Sequence, residues 1–215
     1  MLRSMTAGAA LLGALAVAAP AQATPLPAPD EMMIIDVVNA NGSGCPPKSA
    51  EIAVSPDNTA FTVTYSKYTA QVGPEATPLD FRKNCQLALD IKVPSGFTFA
   101  IASADYRGYA NLQKGAWAQE AANYYFQGHS QTTRVQHNFK GPMDDNWQRT
   151  DKVGVTSLSF LPCGERRYLN INTELRVNRG SSDAKKHTSF ISMDSTDAAI
   201  NTVYRVAWKK CGGKK

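Results

Sequence analysis

The chain predicts an all-β fold: an antiparallel β-sandwich pinned by two disulfides, with a jelly-roll winding compatible with it. Three observations carry that expectation. Apolar and polar residues alternate with a period of two through much of the chain, glycine, proline, asparagine and aspartate break the alternation at short intervals, and four cysteines follow an export-type N-terminus. Successive side chains of a strand point to opposite faces, so such alternation reads as half-buried strands. Many short strands separated by turns indicate two packed sheets.

The elements follow in order. Residues 1–23 carry Arg3, then AGAALLGALAVAAP, then Ala21-Gln22-Ala23. A short basic start, an apolar run and a small-x-small site describe a signal peptide; an uncleaved anchor is the competing reading. Residues 24–31 (TPLPAPDE) are Pro-rich and read as an extended lead-in. Residues 32–211 form one expected domain, and 212–215 a basic tail, where Lys214 and Lys215 follow Lys209 and Lys210. No later apolar run approaches the roughly 20 residues of a membrane helix, so a released monomer without a transmembrane anchor is expected.

Within the domain, RKNCQLALDIKV puts Cys85, Leu87, Leu89, Ile91 and Val93 on one face and Asn84, Gln86, Asp90 and Lys92 on the other. RRYLNINTELRV repeats the pattern with Leu169, Ile171, Thr173, Leu175 and Val177. TAFTVTY and NTVYRVAW show it through Phe61, Val63 and Tyr65, and through Tyr204, Val206 and Trp208. MMIIDVV, FTFAIA, RVQHNF, TSLSF and TSFISM are shorter candidates. KGAWAQEAANYYF reads as a strand or a loop plus a strand, because it ends in strand-favouring aromatics. Asn41-Gly42-Ser43-Gly44, Pro56-Asp57-Asn58, Pro94-Ser95-Gly96 and Gly141-Pro142 supply turns.

Composition excludes some classes. The chain has 23 basic and 18 acidic residues, and loss of the leader removes only Arg3 from that balance. The mild positive charge suits loose attraction to anionic polymers. Without a reader motif or dense basic stripe, nucleic acid is not an expected partner. Four cysteines allow three pairings, which sequence alone does not choose between; Cys45–Cys85 and Cys163–Cys211 are the pairs expected here. Each would close a loop of roughly 40 to 50 residues, for about 4 kcal/mol of chain entropy. No C-x-x-C pair exists, so zinc is not expected, and no cofactor is implied.

Several segments resemble one family together and in order: SPDNTAFTVTY, DFRKNCQLALDIKVPSGF, ASADYRGYANL, YYFQG, GPMDDNW, PCGERRYLNINTELRV, MDSTD and WKKC. The set is similar to the secreted family catalogued as domain of unknown function 4360, from about Ile34 to Cys211. The resemblance implies secretion, one domain and four cysteines, and it transfers no activity.

Candidate sites follow from chemistry. Tyr106, Tyr109, Trp117, Tyr124, Tyr125 and Trp147 cluster in the middle third, and rings stack on apolar sugar faces. Asp105 and Arg107 beside Tyr106 and Tyr109 would bond hydroxyls, and Gly108 would let backbone approach a ligand. The competing reading makes these rings core. Asp144-Asp145-Asn146, and Asp194 with Asp197, could offer calcium oxygens but read better as turn residues. The histidines are His129, His137 and His187, and no G-x-S-x-G marks a nucleophile. Asp105, Glu120, Glu165 and Glu174 are the carboxylates a glycosidase would pair. Asn41-Gly42-Ser43 is a glycosylation sequon in a eukaryotic host and otherwise a tight turn. The expected function is a secreted binding module for an extracellular polysaccharide or an anionic cell-wall polymer. A small hydrolase and a protein-docking or inhibitor module are the alternatives.

Overall fold

The computed structural model describes residues 27–129, 134–152, 158–193 and 201–212. Residues 1–26 (the expected signal peptide among them), Asp194, Asp197 and residues 213–215 lie outside them. The described residues hold twelve strands and no helix: β1 (Ile34–Asn41), β2 (Ala50–Val54), β3 (Ala60–Tyr65), β4 (Thr69–Val72), β5 (Arg82–Lys92), β6 (Phe97–Leu112), β7 (Trp117–Phe126), β8 (Val135–Lys140), β9 (Met143–Lys152), β10 (Leu169–Asn178), β11 (Ser189–Ser192) and β12 (Thr202–Lys210). They form two antiparallel sheets packed face to face. One has five strands in the order β1-β5-β10-β7-β8. The other runs β2-β3-β12-β6-β11-β4, with β9 also paired to β6.

The alternation places the core between the sheets. Leu87 and Leu89 of β5, Ile171 and Leu175 of β10, and Phe61 and Val63 of β3 are fully buried. Phe99 meets Phe126 edge-on across the two layers at 5.3 Å between centroids. Tyr68 Oη and Thr173 Oγ1 join the sheets at 3.0 Å. At the β8–β9 seam Phe139 packs on Trp147 at 5.0 Å, and Arg149 lies over the Phe139 ring.

The cysteines pair as Cys45–Cys85 and Cys163–Cys211, and none is free among the described residues. The first joins the N-terminal loop to the inward face of β5, where both residues are buried. The second ties the residue after β12 to the turn preceding β10.

Three local readings change. Asp144, Asp145 and Asn146 are strand rather than turn: they belong to β9, paired along β6, and the turn is confined to Gly141 and Pro142 before it. TSLSF is not a strand over residues 158–160, and its first two residues lie outside the described set. FTFAIA is not a short strand but continues through ADYRGYANL as one 16-residue strand that includes Asp105 to Tyr109. Between Ile101 and Ser103 the pairing with β12 skips Ala102. This bulge inserts one residue and reverses which parity faces inward. Phe99 and Ile101 face the core before it, and Ala104 and Tyr106 after it.

Gly108 also has a different role from the one its sequence suggests. A Cβ there would stand 2.6 Å from the Trp147 indole and would also meet the Ser192 carbonyl. The glycine admits a core ring, not a ligand. Gly108→Ala should therefore cost about 1–3 kcal/mol through overpacking, read as a lower urea midpoint at unchanged m-value.

Candidate functional site

The residues singled out in the sequence separate onto three surfaces. Tyr106 and Trp147 face the interior and are 0% and 4% exposed. Tyr124 joins them, its hydroxyl against that of Tyr106 and donating to Asp151 at 2.8 Å. Asp105, Arg107 and Tyr109 point away from the core on the outer face of β6. There Asp105 accepts from Thr150 at 2.6 Å and pairs with Arg205. Burial alone would raise the Asp105 carboxyl, but the bonds from Thr150 and Arg205 outweigh it and hold it below the usual range. Tyr109 donates to Asp144, which also accepts from Asn111 at 2.9 Å. These bonds hold Asp144 below the ordinary carboxylate range, Tyr109 being the larger cause. Among the described residues no group of three or more His, Cys, Asp and Glu is placed to hold a metal ion.

Trp117 and Tyr125 lie elsewhere, on the outer face of the five-stranded sheet. Here the strand register assembles a surface with no sequence motif behind it. In β10 the outward residues are Asn170, Asn172, Glu174 and Arg176, which stand opposite Ala88, Gln86, Asn84 and Arg82 of β5. On the other side they face Tyr125, Asn123, Ala121 and Gln119 of β7. Next come Gln136, Asn138 and Lys140 of β8. Amides therefore recur on four adjacent strands.

The centre of this face is low. Ala88 and Ala121 are small, and Asn123, Asn170 and Glu174 are buried although they point outward. Taller side chains around them form the rim. Arg82 Nε donates to Glu174 Oε2 at 2.6 Å. Arg176 and Arg134 each reach Glu174 Oε1 at 3.1 Å. Arg134 does so from just before β8, reaching across β7, where the residue opposite Glu174 is the small Ala121. Among the described residues, the buried Asn172 Oδ1 and Arg176 Nε have no hydrogen-bond partner. The floor thus holds an unpaired acceptor and an unpaired donor on one strand, both shielded from solvent.

The rest of the face carries rings and charge. Tyr125 is half-buried opposite Asn170, and Trp117 is half-buried opposite Asn178. Tyr168, just before β10, is exposed. Arg166 donates through Nε to Asp90 at 3.0 Å, and its hydrogen bonding is the main reason the Asp90 carboxyl is held below its ordinary range. Arg166 also lines a cavity of about 590 Å³ with Val93, Pro94, Phe97 and Pro162, beside the Cys163–Cys211 disulfide. From Tyr168 to Asn178 the strand spans about 33 Å at the usual rise, long enough for several units of a polymer.

The four carboxylates considered for hydrolysis fall apart in space. Asp105 lies on the outer face of the seven-stranded sheet, Glu120 between the sheets, Glu174 on the outer face of the five-stranded sheet, and Glu165 in an exposed turn bonded to Arg167. Sequence reasoning passed over Asn123, Asn170 and Asn172 because each reads as an ordinary polar position of an alternating strand. Only their register brings them together.

The chain is 36% identical over 185 residues to an uncharacterized secreted protein of Arthroderma benhamiae (strain ATCC MYA-4681 / CBS 112371), covering 86% of this chain and 74% of that one. Like that relative, the protein is secreted. Among solved structures, the enzymatically active domain of bacteriophage CBA120 tailspike protein 4 matches 84% of this chain at 8% identity and a TM-score of 0.26, a likeness too slight to carry any argument. This chain spans 19% of that one. The family model described as domain of unknown function (DUF4360) matches residues 31–211, and the chain belongs to that family.

Proposed function

We propose that the protein is a non-catalytic binding module for an extracellular polysaccharide or cell-surface polymer. The outer face of the five-stranded sheet is its binding surface. One observation supports this above the others: buried amides form a floor along β10 and β7, with Tyr125 and Trp117 toward its two ends. Amides bond hydroxyls as both donor and acceptor, and rings offer flat apolar contact. Secretion puts this face among such polymers.

The test is retention on a panel of insoluble polysaccharides, followed by titration with the oligomers of any polymer that retains the protein. Tyr125→Ala should weaken binding about two- to tenfold, the range expected for one ring contact, with the native fold retained. Loss with Tyr109→Ala but not with Tyr125→Ala would move the site to Asp105, Arg107 and Tyr109 on the opposite sheet. Retention by none of the polymers would end the proposal.

A further inference from the structure

We infer that the polymer recognised is acidic, and that its carboxylate groups are received by Arg82, Arg134 and Arg176. This rests on the outer face of the five-stranded sheet being the binding surface. Three guanidinium groups converge there on the single carboxylate of Glu174. Each guanidinium offers five N–H donors, whereas a carboxylate has about four lone-pair sites. Most of the donors are therefore left over, and the local charge is positive. The three arginine side chains remain 45%, 39% and 41% exposed, while that of Glu174 is 6% exposed. The anion is at the bottom and the forks are open above it.

Glu174 then acts as an organiser. It holds the three forks in place, so less side-chain freedom is lost when a second carboxylate docks. Forked donors match carboxylate geometry, and charge-assisted bonds are roughly twice as strong as neutral ones. On β5 and β8 the exposed amides of Gln86 and Gln136 offer donors and acceptors to hydroxyls. A sugar acid presents a carboxylate and hydroxyls on one ring, and so suits arginines and amides together. A neutral sugar leaves the excess guanidinium charge uncompensated.

The processed, disulfide-bonded protein is titrated by calorimetry with an oligouronide and with the same oligomer after its carboxyl groups are reduced to alcohols. The oligouronide should bind at least tenfold more tightly, and its affinity should fall as salt is raised. Arg134→Ala should remove most of that preference, and Arg134→Lys part of it, because lysine keeps the charge but not the fork. Both variants should keep the wild-type thermal midpoint. The comparison of the two oligomers on wild-type protein holds even if a variant fails to fold. Equal binding of both would overturn this inference and leave the binding face standing. Binding of neither, with no other polymer retained, would overturn both. Preference for a phosphate-bearing polymer over the oligouronide would overturn the carboxylate assignment alone.

Discussion

Replacing Glu120 by glutamine should stabilise the protein at pH 8 and leave it nearly unchanged at pH 4. Glu120 is fully buried in β7 and faces the interior, and neither carboxyl oxygen has a hydrogen-bond partner among the described residues. Burial pushes its pKa well above the ordinary 4.5, and the Asp151 charge adds to the effect, against a smaller opposing pull from Arg134. In the unfolded chain the group ionises near its ordinary value. The folded state is therefore not penalised below about pH 4.5. Above that it loses about 1.4 kcal/mol for each pH unit, until the raised folded value is passed. Glutamine has nearly the same shape and does not titrate, so Glu120→Gln should remove this slope. Urea midpoints at pH 4, 6 and 8 measure it. Parallel pH profiles for the two proteins would show that Glu120 is not neutral in the folded state. The surroundings make the effect large: Tyr65, Tyr68, Tyr106 and Tyr204 are buried around the same interior region, and all are pushed upward mainly by burial.

Removing the Cys45–Cys85 disulfide should produce the largest loss of stability of any change considered. The two cysteines are 40 residues apart, and closing a loop of that length restrains the unfolded chain by about 4 kcal/mol. For a domain of this size that corresponds to about 8–16 °C in thermal midpoint. The second disulfide spans 48 residues, so chain entropy alone would make the two losses nearly equal. Burial separates them. Cys45 and Cys85 are 0% and 1% exposed, whereas Cys163 is exposed and Cys211 half-buried. The Cys45→Ala/Cys85→Ala variant loses packed sulfur as well as the loop restraint; Cys163→Ala/Cys211→Ala loses mainly the restraint. Thermal midpoints of the two double variants, recorded with wild type, decide the matter. A smaller drop for the buried pair would contradict the account.

The strands that were legible in the sequence are those with one face in the core and the other in water. β5, β10, β3 and β12 show this, since burial on one side and hydration on the other forces the period of two. β9 was not legible. Its outward and inward positions are both largely polar, with Trp147 its one buried apolar side chain, so MDDNWQRTDK carries little alternation. The bulge at Ala102 was hidden for a related reason. A single inserted residue leaves composition untouched while reversing the facing of everything after it, which is how Tyr106 came to point inward and Asp105 outward.

What the amino-acid order settled on its own was local: where most of the strands extend, where many of the turns fall, and which family the chain resembles. Only the tertiary structure assembled the face proposed for binding. Asn172, Asn123, Gln86, Glu174 and Arg134 come from three strands and the approach to a fourth, and the chain separates the first pair by 49 positions. Hydrogen-bonded register makes them neighbours, and register is a property of paired strands rather than of any one of them.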